Sequence, residues 1–116
     1  MRTIAIVLLL TGAAAASAGE YQPLHGTYKL GGKTLIDPPA TESQTTHFYV
    51  DLQGRTAHDL YDALDAKPVA GVCGEPGDLT KRSGGVQCTK AQGGKAYYCA
   101  FGIELKTQKV VSGVVC

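Results

Sequence analysis

Thr46-His47-Phe48-Tyr49-Val50-Asp51-Leu52, joined through Gln53-Gly54-Arg55 to Thr56-Ala57-His58-Asp59-Leu60-Tyr61-Asp62-Ala63-Leu64-Asp65-Ala66, is the stretch on which the fold class turns. In its first part Phe48, Val50 and Leu52 alternate with His47, Tyr49 and Asp51. A period of two is that of a strand with one face on a core and the other towards water. In its second part Ala57, Leu60, Tyr61 and Leu64 recur at i, i+3, i+4 and i+7, the spacing of one helical face. The pattern predicts a strand over Thr46–Leu52, ended by Gly54, and a helix over Thr56–Ala66. Thr56 is read as the N-cap, with Asp59 three residues on as a shortened capping box. His58, Asp59, Asp62 and Asp65 fall mostly on the opposite side, and Pro68 stops the helix.

Downstream the chain reads as a β-meander. Leu79–Arg82 and Val86–Lys90 flank Ser83-Gly84-Gly85; Ala96–Leu105 follows Gln92-Gly93-Gly94; Val110–Val115 follows a polar turn over Lys106–Lys109. Tyr97, Cys99, Phe101, Ile103 and Leu105 share one face of the long strand, and Val86 shares a face with Cys88. An amphipathic helix and a one-faced sheet can cover each other. The expectation is an α+β fold: one amphipathic helix packed on a small antiparallel sheet of about four to five strands, stapled by two disulfides.

Upstream, Gly19–Thr45 reads as irregular, broken by Pro23, Gly26, Pro38 and Pro39. Gly31-Gly32 allows one short hairpin between Thr27–Leu30 and Lys33–Ile36, because glycine supplies the positive φ that a tight turn needs. Ala40–Thr45 reads as a loop. Residues 1–18 have the form of a signal peptide: Arg2, an apolar run Ile4–Leu10, then small residues ending Ala16-Ser17-Ala18. That run is shorter than the roughly 20 apolar residues a bilayer span takes. The chain thus divides into a signal peptide (1–18), an irregular segment with a potential hairpin (19–45) and a disulfide-bonded α+β domain (46–116). The expected location is the periplasm or the medium.

Removing 18 of the 116 residues leaves 98 and takes Arg2 from the 11 Lys+Arg, so basic and acidic side chains balance at 10 each. A neutral chain has no bulk attraction for nucleic acid or anionic lipid, and neither is expected as a partner, nor is a membrane anchor. The cysteines, Cys73, Cys88, Cys99 and Cys116, all lie near the C-terminal end. In an exported chain an even number reads as disulfides, and the wide spacings are unlike the close pairs of zinc sites. Three pairings exist. If Gly93-Gly94 forms a two-residue turn, Cys88 faces Cys99 at a hydrogen-bonded position of the hairpin. Linking two adjacent strands gains little, so Cys73–Cys88 with Cys99–Cys116 is the expected pairing.

Neither a catalytic constellation nor a cofactor or metal site is expected. His47, Tyr49 and Asp51 read as the polar face of a half-solvated strand, and His58 with Asp62 as an exposed helical i,i+4 pair. No G-x-S-x-G, Walker or dinucleotide glycine pattern occurs. The candidate partner-binding residues are in loops and turns. Glu75, Pro76 and Asp78 belong to a loop next to Cys73 that a disulfide and a proline would preorganise, which lowers the entropic cost of binding. Lys81 and Arg82 form a basic hairpin tip, and Tyr98 is placed to be exposed, as contact tyrosines are.

The order of helix then strands is similar to the repeat unit of β-lactamase inhibitor proteins, and size, export and cysteines resemble periplasmic lysozyme inhibitors in general. The likeness is one of architecture, carried by no diagnostic motif, and it implies a proteinaceous inhibitor. The expected function is therefore that of a small exported binding protein, an inhibitor or immunity protein blocking a hydrolase (cell-wall or lysozyme-like) by steric occlusion. The alternative is a non-catalytic cell-envelope adaptor, dimeric through an exposed strand edge.

Overall fold

The computed structural model of the chain describes residues 19–72 and 74–116. The expected signal peptide and Cys73 lie outside the described residues. The elements run β1 (Gly26–Gly31), β2 (His47–Gln53), α1 (Gly54–Ala63), β3 (Val69–Ala70), β4 (Leu79–Ser83), β5 (Val86–Lys90), β6 (Tyr97–Glu104) and β7 (Lys109–Val111). All strands join one seven-stranded antiparallel sheet in the order β1-β2-β6-β5-β4-β3, with β7 added to β6. Among the described residues the fold is thus α+β, one helix on one sheet, with more strands than the four to five expected. The additions are β1, which the sequence offered only as the Thr27–Leu30 arm of a potential hairpin, and β3, whose two residues are too few to show an alternation.

β6 is the spine. One edge pairs with β2 along nearly its whole length; the other pairs first with β5, from Tyr97 to Ala100, and then with β7, from Gly102 to Glu104. Helix α1 lies on one face, over β6 with β5 and β2 to either side. Leu52, Ala57, Tyr61, Cys88 and Cys99 form the buried cluster, with Val50, Leu60, Leu64, Val86, Tyr97 and Phe101 packed around it. The i, i+3, i+4, i+7 face read from the sequence is the face that is buried.

The helix starts two residues before the predicted Thr56. Gln53 is the N-cap and makes no side-chain cap bond. The Thr56 hydroxyl instead accepts the His25 backbone N–H at 2.8 Å, and the Gln53 N–H donates back to the His25 carbonyl at 3.0 Å. A residue read as a cap therefore fastens the N-terminal segment. The helix ends early, at Ala63, where Lys81 Nζ donates to the carbonyls of Tyr61 (2.9 Å) and Leu64 (3.3 Å) and lies 4.4 Å from the Tyr61 ring centre. A cation there satisfies carbonyls that the last turn leaves without intrahelical partners and complements the helix dipole.

Three further expectations are corrected. The hairpin around Gly31-Gly32 does not form: β1 pairs with β2 across the long connection 32–46. Neither glycine has a positive φ. Their service is close approach, since a Cβ on Gly31 would sit 2.9 Å from the Tyr49 ring and one on Gly32 would strike the loop backbone and Glu42. Secondly, His47 and Tyr49 do not face water. They are 8% and 5% exposed, stacked on each other and covered on the helix-distal face. The Tyr49 hydroxyl donates to the Gly32 carbonyl at 2.6 Å, and burial, aided by the Glu42 carboxylate, pushes its pKa up. The Glu42 carboxylate organises that loop by accepting from the Thr34 hydroxyl (2.7 Å) and N–H (3.1 Å).

Thirdly, the disulfide joins Cys88 to Cys99, which rules out both bonds of the expected pairing. The predicted register was that of the structure, Cys88 opposite Cys99. Its phase differs, because the connection is not a two-residue turn. It closes with the Ala91 N–H on the Ala96 carbonyl and turns through a 3-10 segment, Gln92–Gly94. Counting outward from 91–96 puts 88–99 at a non-hydrogen-bonded position, where the strands approach more closely; the Cα atoms are 4.0 Å apart. No described cysteine is a free thiol.

Candidate functional site

Direct partners on antiparallel strands point to the same side of a sheet, so the register maps each face in rows. On the helix side, one row runs Tyr28, Val50, Phe101 and the next Leu30, Phe48, Ile103, Val110. The first row abuts the helix-covered cluster, since Val50 and Phe101 pack against it. The second lies further out. A helix of ten residues is about 15 Å long, and the buried cluster beneath it takes in Val50 and Phe101 of the first row and none of the second. Tyr28 is 72% exposed, Leu30 52% and Val110 47%, with Leu105, 46% exposed, following the end of β6. Tyr28 and Phe48 stack with ring centres 5.3 Å apart, so the platform has a fixed aromatic floor. It borders β1, the open edge of the sheet.

The alternation in Phe48, Val50 and Leu52 was legible, and it was read as a wholly core-facing set. Only Leu52 of the three is fully buried. The missed signal lay in proportion: the apolar positions of the sheet outnumber what one short helix can cover. A contiguous exposed apolar surface of this kind marks a contact site more often than an accident of composition.

The residues singled out from the sequence are distributed over both faces. Glu75 and Pro76 are exposed in the loop 74–78. Asp78 closes that loop: its Oδ2 accepts the Glu75 N–H (3.1 Å) and its Oδ1 the Gln92 N–H (3.1 Å). Lys81 is on the helix side, engaged with the helix carbonyls. Arg82, one residue on, is on the opposite side, where Nε donates to Gln87 Oε1 (2.8 Å) and Nη2 to the Cys116 carbonyl (2.6 Å). Adjacent strand residues point to opposite faces, which is why a basic pair in sequence is no basic patch in space. Tyr98 is 53% exposed on that second face, where it and Asp78 line one groove.

His58 pairs with Asp62 at 3.1 Å and stacks on Tyr97 at 4.2 Å, both partners about half exposed. Among the described residues no group of three or more His, Cys, Asp or Glu is placed to hold a metal ion. No described helix is long and apolar enough to cross a membrane.

No protein-family model, curated protein or solved structure matches the chain.

Proposed function

We propose that the chain is a small exported, non-catalytic binding protein that blocks a hydrolase, most simply one acting on the cell wall, by covering its cleft. The observation that carries the reading is the apolar platform of Tyr28, Leu30, Phe48, Ile103 and Val110 beyond the end of α1. It is flat, aromatic-floored and built on a rigid sheet, so little order has to be created on docking, and a folded partner suits it better than a small molecule. Export is supported by the form of residues 1–18 and by the Cys88–Cys99 bridge, which persists in an oxidising compartment. The second bridge of the proposal joins Cys73 to Cys116, the two cysteines that Cys88–Cys99 leaves. Its support is that Cys116 Sγ lies 3.2 Å from the carbonyl oxygen of Val72.

A second reading, a dimeric envelope adaptor, is favoured by one observation: β1, next to the platform, is an edge strand of six residues with its outer backbone groups open for pairing.

The test immobilises the oxidised chain, exposes it to exported proteins and a lysozyme panel, and identifies what is retained. Retention of one hydrolase at one-to-one ratio, inhibition by the free chain, and loss of both with Leu30→Asp plus Val110→Asp is the expected result. Retention of envelope structural proteins with no activity lost, or a dimer abolished by the same substitutions, replaces the inhibitor with the adaptor. A monomer that retains nothing overturns both.

A further inference from the structure

The face opposite the helix carries a trough of about 490 Å³, within the range of small-ligand sites. Its floor follows from the register. Ala100, 5% exposed, sits between Asp51 and Gln87, with Thr27 beyond Asp51; in the next row Tyr98 sits between Gln53 and Thr89. A methyl group between two longer side chains makes the depression. One wall is the C-terminal strap, 112–116, which crosses β6 because Gly113 lies flat on the Phe101 backbone; a Cβ there would meet backbone atoms at 2.8 Å. Ser112 Oγ, donating to the Val114 carbonyl (2.9 Å), fixes the bend within the strap, and Arg82 of β4, donating to the Cys116 carbonyl, holds it down. Asp78 stands at the opposite wall with both carboxylate oxygens engaged by backbone N–H groups.

The chemistry of the lining is specific. Among the described residues no Lys or Arg lines the trough, so phosphates and carboxylated ligands meet no counter-charge in its lining. Of the carboxylates lining the trough, that of Asp51 has no partner among the described residues; it is a single charge and a weak attraction for a polycation. Among the described residues the side chains of Thr27, Asp51, Gln53 and Tyr98 make no hydrogen bond within the protein. The trough therefore offers a hydroxyl, a carboxylate and an amide beside the half-exposed Tyr98 ring. A ligand that uses all of these presents vicinal hydroxyls at its rim and a flat C–H face to the ring. That is a pyranose.

We propose that this trough binds a neutral oligosaccharide segment, with Tyr98 as the stacking platform and Asp51, Gln53 and Thr27 as hydrogen-bonding partners. The inference is independent of the protein-binding platform, which is on the other face. The test is amide NMR titration of the oxidised chain with neutral trisaccharides (β-1,4-linked N-acetylglucosamine, β-1,4-linked glucose and a mannose trimer), with trilysine and inorganic phosphate as controls. Saturable shifts confined to residues around Asp51, Gln53, Thr89 and Tyr98 with one trisaccharide are expected. Tyr98→Ala should weaken them about tenfold or more, a stacking anchor's worth, and Asp51→Ala should do likewise, both with unchanged far-UV circular dichroism. Absence of saturable shifts for every sugar to about 10 mM, a weak limit for any specific site, overturns the proposal. So do shifts that survive Tyr98→Ala and Asp51→Ala together, or saturation by trilysine or phosphate in place of sugar.

Discussion

Tyr49 shows how much a single side chain can rest on residues that have none. Its ring lies between Gly31 and Gly102, where added Cβ atoms would stand 2.9 and 2.7 Å from ring carbons. Gly102→Ala therefore overpacks a buried ring and should lower stability by about 1–3 kcal/mol in urea unfolding. Tyr49→Phe keeps the packing and leaves the Gly32 carbonyl without its donor, so it should cost about 1 kcal/mol. The same loop carries a pH dependence. The Thr34 hydroxyl and N–H hold the Glu42 pKa below its ordinary value of 4.5. A carboxyl with a depressed folded pKa contributes stability that is present above the unfolded pKa and lost as pH falls through the folded one. Amide exchange at Thr34 should accordingly stay slow at and above pH 4.5 relative to its intrinsic rate, and lose protection only at more acidic pH. With Glu42→Gln that acid-induced loss of protection should disappear. Persistence of the same profile in Glu42→Gln would assign it to another group.

Among the elements, the helix depends on a residue from the sheet. Lys81 bonds two carbonyls at the end of α1 and sits over the Tyr61 ring. Lys81→Met keeps the stem and removes the charge, and should cost about 1–2 kcal/mol, seen as an earlier urea midpoint. Arg82→Met, on the other face, should leave the helix end untouched and loosen the strap instead; equal protection losses at the helix end in both variants would refute the division. The strand-helix unit and the β4–β5 and β5–β6 hairpins were legible, because a period of two, a period of 3.6 and glycine turns are local signals. Gly84 and Gly85 do take the positive φ a tight turn needs. The pairing of β1 with β2 across residues 32–46 was not legible, because Gly31-Gly32 carries the same letters as a turn and serves close approach. Nor was the burial of His47 and Tyr49, since alternation states which residues share a face and says nothing about what covers it. The platform was hidden for the same reason: its residues look like core until the length of the helix is set against the width of the sheet.

At the scale of the molecule, the buried apolar set among the described residues is small: Tyr49, Leu52, Ala57, Tyr61, Cys88, Cys99 and Ala100. Two of those seven are the disulfide itself, which therefore serves as core as well as cross-link. A core of this size supplies a few kcal/mol net at best, so covalent constraint has to make up the balance. Closing a loop with a sequence separation of 11 removes denatured-state entropy of about 2–3 kcal/mol at room temperature. Cys88→Ala with Cys99→Ala forfeits that and also leaves a gap beneath Ala57, where Cys88 is fully buried. The double variant should unfold well below the oxidised parent, with the two effects separable. With Cys73→Ser and Cys116→Ser in the parent and in every variant compared, so that no other bridge can break, reduction removes only the Cys88–Cys99 cross-link, whereas Cys88→Val with Cys99→Val restores volume without the bond. If the bridge acts through the unfolded chain, reduced parent and valine variant should show the same loss. If it acts mainly as core, the valine variant should recover most of the stability and the reduced parent should lose little. The first outcome ties folding to an oxidising compartment, and the same chain made in a reducing cytosol should then accumulate unfolded and be degraded.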